Sequence, residues 1–233
     1  MLIVAAGAVA GVASGMAWAV RGRSSRIFGP SVWRGPRDQR RIALTFDDGP
    51  SESTPQILRV LAEHRAHATF FQCGANVDRL PGVAREVAAA GHELGNHTYS
   101  HERLYLQSAS FIEGEVARGQ EAIERATGYR PRLFRPPFGV RWFGLAPALQ
   151  RQGLLGVMWT AIGSDWRLPT TGVVRKLLRT SSNGAILCLH DGRGRRPRPD
   201  ASVTVEAVRR LLPALRDRGY QFHTVSDLLC PMN

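Results

Sequence analysis

Between residues 41 and 225 the chain alternates seven short apolar runs with six longer stretches whose apolar residues recur at spacings of three and four. The runs lie near 41–46, 67–72, 91–96, 132–135, 154–159, 184–190 and 220–225, and the stretches between them at 55–65, 82–90, 109–127, 143–152, 171–181 and 202–218. Val203, Ala207, Val208 and Leu211 illustrate the spacing, which lays one apolar stripe along a helix. Few folds accept this alternation, because a helix between two strands returns the chain to the same end of the sheet and the strands then run parallel. Such units close into a barrel or open into a doubly wound sheet. In both, the loops after the C-terminal ends of the strands share one rim and hold the site. A chain of 233 residues can bury one full core, so one catalytic domain is expected.

The polar residues that follow each run are therefore the ones to collect. The first run ends as IALTFDDGP, residues 42 to 50, with adjacent carboxylates at Asp47 and Asp48 on a Gly-Pro turn. Solvated turn residues would explain that dipeptide equally well taken alone. The third run ends in Asn96-His97-Thr98-Tyr99-Ser100-His101, the fourth in Arg135-Pro136-Pro137-Phe138-Gly139, and Gly163-Ser164-Asp165-Trp166-Arg167 follows the fifth. The sixth ends in His190-Asp191. His97 and His101 stand four apart, which on a helical turn points both rings to one side. With one carboxylate they make a two-His-one-carboxylate site, a pattern used for zinc hydrolysis and also for non-haem iron. The Asn96-His97-Thr98 sequon has the glycosylation form, and a glycan there would block such a site, so it is read as coincidence.

The formal charge of +12 comes from 31 Lys plus Arg against 19 acids, almost all of the cations being Arg. That balance suits an anionic partner. The arginines are scattered, however, and no nucleic-acid fold signature accompanies them, so no nucleic-acid partner is expected. Gly192 to Pro199, GRGRRPRP, reads as a solvated loop whose Arg195 and Arg196 would touch an anionic polymer. Residues 1–20 carry no charged side chain and have the length of a membrane span. They read as a signal anchor or a signal peptide, with Ala17-Trp18-Ala19 as a small-x-small cleavage form, and give the chain a membrane partner. Arg21 to Arg26 put positive charge after the span, which opposes export of the domain. Residues 21–40 read as a linker. Cys73, Cys188 and Cys230 form neither a disulfide framework nor a zinc knuckle.

Five segments in order resemble one family. Thr45-Phe46-Asp47-Asp48-Gly49, His97-Thr98-x-x-His101, Arg135-x-Pro137-Phe138-Gly139, Asp165-Trp166 and Leu187-x-Leu189-His190-Asp191 resemble the five motifs of the NodB-homology polysaccharide deacetylases, carbohydrate esterase family four. The likeness runs over residues 41–229, to the terminal Leu215-x-x-x-Gly219-Tyr220-x-Phe222-x-Thr224-Val225-Ser226-Asp227-Leu228. It implies an α/β fold, a distorted seven-stranded (β/α) barrel. It also implies a metal, zinc on ligand grounds, held by Asp48, His97 and His101. Asp47 is then the general base, His190 the general acid, Asp165 the residue that orients His190, and Arg135 the partner of Asp47. Pro137, Phe138, Trp166, Leu187 and Leu189 are the implied substrate contacts, the backbone N–H of Phe138 serving the oxyanion and Trp166, Leu187 and Leu189 the acetyl methyl. Two positions depart from the family pattern. Ile162 stands where relatives often carry Asp, and Phe138 where they usually carry Tyr.

The activity implied is removal of N-acetyl groups from N-acetylglucosamine units of a polymer, with the protein membrane-anchored or secreted into a bacterial cell envelope. Peptidoglycan is the expected substrate, with chitin or chitooligosaccharides as the alternative and O-acetylated xylan as a third. Two readings from other classes are a non-catalytic glycan-binding module, which should lack a ligand, base or acid, and a charge-driven anionic-polymer binder, whose affinity should fall steeply with salt.

Overall fold

A computed structural model describes residues 2–230, without the side chains of residues 2–10 and 12. Its named strands pair in parallel throughout, as the alternation requires. At the centre lies β2 (Arg41–Gly49), buried at every residue and paired along one edge with β8 (Ala185–His190). Both its faces are buried, yet its residues alternate: Ile42, Leu44 and Phe46 pack outward in the main core, while Ala43 packs inward and Thr45 and Asp47 meet Arg135 there. The opposite edge of β2 is shared: β9 (Gln221–His223) takes Arg41 to Ala43, and β3 (Thr69–Gln72) takes Thr45 to Gly49. Beyond β3 the order continues through β4 (Glu93–Asn96), β5 (Leu133–Phe134) and β6 (Leu155–Val157) to β1 (Ser31–Val32), and beyond β8 lies β7 (Ala161–Ile162).

The expected seven-stranded barrel is thus corrected to a curled half-barrel. The described residues form nine strands, eight of them in one order whose ends, β1 and β7, do not pair with each other. All seven expected strands are present, and the two added ones have two residues each, too short to leave any periodicity in the sequence. β1 also lies inside the segment read as linker, so the ordered sheet begins before residue 41.

The six expected helices are α2 (Thr54–Glu63), α4 (Pro81–Ala89), α5 (Ala109–Thr127), α6 (Leu145–Gln152), α7 (Thr170–Thr180) and α8 (Ser202–Asp217); short helices α3 (Gly74–Arg79) and α9 (Val225–Leu229) add to them. Their ends follow local chemistry. Ser108 Oγ accepts the Phe111 N–H at 3.2 Å to start α5, and Gly128 ends it in the left-handed conformation at φ 72. Outward-facing Ile42, Leu44, Phe46, Leu187 and Leu189 pack with Ile57, Leu61, Val173, Leu177, Ala207 and Leu211 of α2, α7 and α8 in the main core. Each of these Ile, Leu, Val and Phe side chains contributes about 1.5–3 kcal/mol on burial. The inner face is smaller: Ala43, Phe71 and Ile186 meet Leu133, Val157 and, from α9, Val225 and Leu228. Because β9 pairs with the start of β2, this cluster fills the end of the half-barrel away from the Asp47 rim and leaves that rim open.

The remaining helix, α1 (Leu2–Arg21), docks by its C-terminal end, where Ala19 and Val20 pack with Phe28 and Val140 and the Arg141 N–H donates to Val20 O at 3.1 Å. No helix among the described residues is long and apolar enough to cross a membrane. The reading of residues 1–20 as a span rests largely on residue 1 and on side chains 2–10 and 12, which lie outside the described part.

Candidate active site

Adjacent residues on a strand point to opposite faces, so Asp47 and Asp48 should not share a site. The backbone breaks that rule here. Asp48 adopts φ 74, and the pairing of β2 with β3 is irregular between Asp47 and Gly49, so both carboxylates turn into the same cavity. Asp47 sits between two partners. Arg135 Nη1 lies 2.7 Å from its Oδ1, and Cys188 Sγ lies 3.3 Å from its Oδ2. Arg135, at the end of β5, is itself fully buried; it also donates to Thr45 Oγ1, Val157 O and Met158 O at 2.7, 3.1 and 3.2 Å and stacks 4.1 Å over Phe71.

Asp48 faces the two histidines. His101 Nε2 is 2.9 Å and His97 Nε2 3.4 Å from its Oδ1, while its Oδ2 accepts the Gly194 N–H at 2.9 Å. Burial would raise this carboxyl, but the hydrogen bonds of His101 and His97, with the charge of His101 and His190, outweigh it and hold Asp48 well below the usual range. The expected helical turn between the histidines is absent. Thr98 and His101 take positive φ of 65 and 61 in an irregular loop, and that loop rather than helical spacing brings the rings together, 5.1 Å between centroids. His97 Nδ1 lies 2.6 Å from Arg135 O, so Nδ1 carries the proton and Nε2 is left as the donor atom. One oxygen of Asp48 and one nitrogen of each histidine lie within 4.8 Å of one another. This donor set fits a divalent cation such as zinc with positions left over. Asn96, the sequon residue, is fully buried and bonded to Val116 O and Gln120.

Across the cavity, His190 Nδ1 lies 2.8 Å from Asp165 Oδ1, and the His190 backbone N–H donates to Asp165 Oδ2 at 2.8 Å. Thr204 Oγ1 donates to the same Oδ2 at 2.6 Å. The imidazole is therefore fixed with Nε2 toward the cavity. Burial works against the charged ring, but the Asp165 hydrogen bond and charge, with Asp48 and Asp47 behind them, hold His190 up at about 9. Burial likewise would raise Asp165, and the bond to His190 overrides it and lowers this carboxyl. Asp191, the sequence neighbour, is not the partner of His190. It accepts from Thr54 Oγ1 at 2.6 Å, and burial pushes its carboxyl up to about 7.

These groups open onto a cavity of about 480 Å³. Phe138 and Trp166 stand exposed on its rim, Phe138 against His101 at 4.7 Å and Trp166 edge-on to His190 at 4.9 Å. Pro137 is buried beside Phe138 and does not line it. Leu187 and Leu189 require a correction: both are fully buried on the outer face of β8 under the helices and take no part in the cavity wall. The period of two that puts His190 inward puts its neighbour Leu189 outward. The apolar wall is built instead by Trp159, in the short break between β6 and β7, and Ile162, the last residue of β7, so the departure at Ile162 falls on the cavity itself. Proximity to the fifth apolar run was the available signal for both.

The loop expected to be wholly solvated is also corrected. Its first residues fold into the site: a Cβ on Gly192 would lie 2.2 Å from Asp48 O, the Gly194 N–H holds Asp48, and Arg193 lines the cavity. Arg195 and Arg196 are exposed.

A profile of the polysaccharide deacetylase family matches residues 34–155. A peptidoglycan-N-acetylglucosamine deacetylase of Bacillus cereus is 36% identical over 202 residues, covering 85% of this chain and 92% of that one. A chitooligosaccharide deacetylase of Bradyrhizobium sp. is 35% identical over 198 residues, 81% of this chain and 90% of its own. Among solved structures, a peptidoglycan N-acetylglucosamine deacetylase in complex with a hydroxamate-type benzamide superposes with a TM-score of 0.80 at 30% identity, over 85% of this chain and 92% of that one. Family profile, relatives and half-barrel together show that the chain belongs to the polysaccharide deacetylases of carbohydrate esterase family four, a family of metal-dependent hydrolases.

Proposed function

We propose that this protein removes N-acetyl groups from N-acetylglucosamine units of peptidoglycan, releasing acetate and leaving a free amine. The observation that carries this reading is the convergence, on one cavity, of a two-His-one-carboxylate donor set with an unliganded carboxylate on one side and a carboxylate-oriented imidazole on the other. A cation held by Asp48, His97 and His101, zinc on ligand grounds, would supply Lewis acidity to the amide carbonyl and acidity to a water. Asp47 takes the proton of the attacking water, its carboxylate aimed by Arg135. His190 donates from Nε2 to the leaving amine nitrogen, and Asp165 keeps that proton facing the cavity by engaging Nδ1. The backbone N–H of Phe138 serves the oxyanion. Trp159 and Ile162 surround the acetyl methyl, while Trp166 and Phe138 stack on sugar rings at the rim.

The peptidoglycan deacetylase relative and the guanidinium of Arg193 in the cavity wall support a wall polymer as substrate, and a cell-envelope location, secreted or anchored, goes with it. The Bradyrhizobium relative supports chitooligosaccharides as the second reading. The test is acetate release by metal-stripped protein from both polymers, with and without zinc, alongside Asp47→Asn. Zinc-dependent release that Asp47→Asn abolishes is expected, faster on peptidoglycan. Zinc binding without release from either polymer would favour a glycan-binding module and overturn the proposal.

A further inference from the structure

We infer that Asp47, Cys188 and His190 form a second cation site, specific for thiophilic divalent ions, whose occupation shuts the enzyme down. The three residues come from β2 and β8, where Thr45 is level with Cys188 and Asp47 with His190. Residues two apart on a strand share a face, so Cys188 stands one step below His190 and beside Asp47 on the inner surface. One donor atom from each lies within 4.8 Å of the others, and Cys188 Sγ is 3.3 Å from Asp47 Oδ2. The neighbours orient all three. Asp165 engages His190 Nδ1 and leaves Nε2, while Arg135 engages Asp47 Oδ1 and leaves Oδ2 toward the sulfur. None of these side chains belongs to the Asp48, His97 and His101 set.

Sulfur, imidazole nitrogen and carboxylate oxygen together suit zinc and its heavier congeners, whereas magnesium and calcium gain nothing from the thiolate. A tetrahedral zinc with bonds of about 2.0–2.3 Å needs donors about 3.3–3.8 Å apart, so side-chain movements of about an ångström close the set. Burial, with the charge of Asp47, pushes the Cys188 thiol well above its ordinary range, which keeps it protonated until an ion that bonds strongly to sulfur arrives. Binding then releases the thiol proton and, where His190 is charged, its Nε2 proton, both to bulk water; no electron is transferred. Arg135 and a cation at Asp48 both repel a second dication. The second site is therefore the weaker and fills after the first. Once filled, Asp47 can accept no proton and His190 can donate none. This inhibition rests on the deacetylase reading; the binding does not.

The test takes the full chain with Cys230, the exposed thiol, replaced by Ser and loaded with one equivalent of zinc. Cadmium is titrated in while thiolate-to-cadmium absorbance, bound zinc and acetate release are followed, with magnesium as control. Absorbance that grows as acetate release is lost, with the first zinc retained, is expected. Cys188→Val should show neither change, each protein being compared with its own rate before cadmium. Equal absorbance or equal inhibition in Cys188→Val, or loss of the first zinc in step with the activity, overturns the proposal. Should Cys188→Val fail to fold, cadmium NMR of the unaltered residue 188 decides: a resonance shifted by one sulfur ligand is expected, and cadmium bound only by nitrogen and oxygen sinks the site. If the absorbance forms in protein that released no acetate at the outset, the second site stands and the deacetylase reading fails.

Discussion

Arg135 and Asp47 meet inside the half-barrel, Nη1 to Oδ1 at 2.7 Å, with the guanidinium fully buried and bonded as well to Thr45, Val157 and Met158. One side chain thereby ties β2 to the β5–β6 side of the sheet and aims the proposed base. Arg135→Met strands a carboxylate in the interior and should cost about 3–5 kcal/mol of unfolding free energy. Arg135→Lys should recover little of it, because one ammonium cannot reproduce a fork that reaches four acceptors. Denaturant unfolding checks both, and a loss below about 1 kcal/mol in Arg135→Met would show that the pair contributes little to stability.

The roles proposed for the neighbours Asp47 and Asp48 are separable. Asp47→Asn should reduce acetate release about 10²–10⁴-fold while the protein still binds one zinc. Asp48→Asn should lose the zinc itself. Metal content measured beside the rate distinguishes the two, and a zinc-free Asp47→Asn protein would contradict the assignment.

As the proposed acid, His190 must keep its charged form at working pH. Its value is raised, hence the competent form is present below the folded value and is lost as pH rises through it. A cation at Asp48 offsets part of that carboxylate's pull. The alkaline limb of kcat/KM should therefore fall between the ordinary histidine value of about 6.5 and the about 9 that the three carboxylates sustain. Asp165→Asn removes the strongest partner and should shift the limb downward and lower kcat. An unmoved limb would assign it to another group.

The relocation of the apolar wall separates stability from binding. Leu187→Ala, in the outer core, should cost about 2–5 kcal/mol of stability and leave KM unchanged at temperatures where the protein is folded. Trp159→Ala should raise KM with little effect on unfolding. The reverse pattern would return the acetyl pocket to β8.

On salt dependence the rim arginines give a further check. Arg195 and Arg196 are exposed beside the cavity loop. Replacing both by Gln should raise KM for a wall-derived substrate at low salt and make it insensitive to added salt, since exposed charges act through a screened field. A KM that ignores salt in the unaltered protein removes any role for them.

The alternation of apolar runs and helical stripes determined by itself that the sheet is parallel, which loops share a rim, and so that Asp47, Asp48, His97, His101, Arg135, Asp165 and His190 meet. Periodicity and chain direction are local properties, and the topology that follows from them has few solutions. Tertiary structure alone decided the rest. The two-residue strands β1 and β7 exist only through their pairing with β6 and β8 and leave no pattern of their own. The shared cavity of Asp47 and Asp48 depends on one backbone angle, φ 74 at Asp48, and the approach of His97 and His101 on a loop rather than a helical turn. Leu187 and Leu189 lie in the segment that ends at His190 yet face away from it, because a strand's alternation decides inside from outside only once the sheet has said which face is which. Arg193 and Gly194 enter the site because a glycine at 192 lets the loop approach the Asp48 carbonyl, a close contact between segments far apart in the chain that no local pattern encodes.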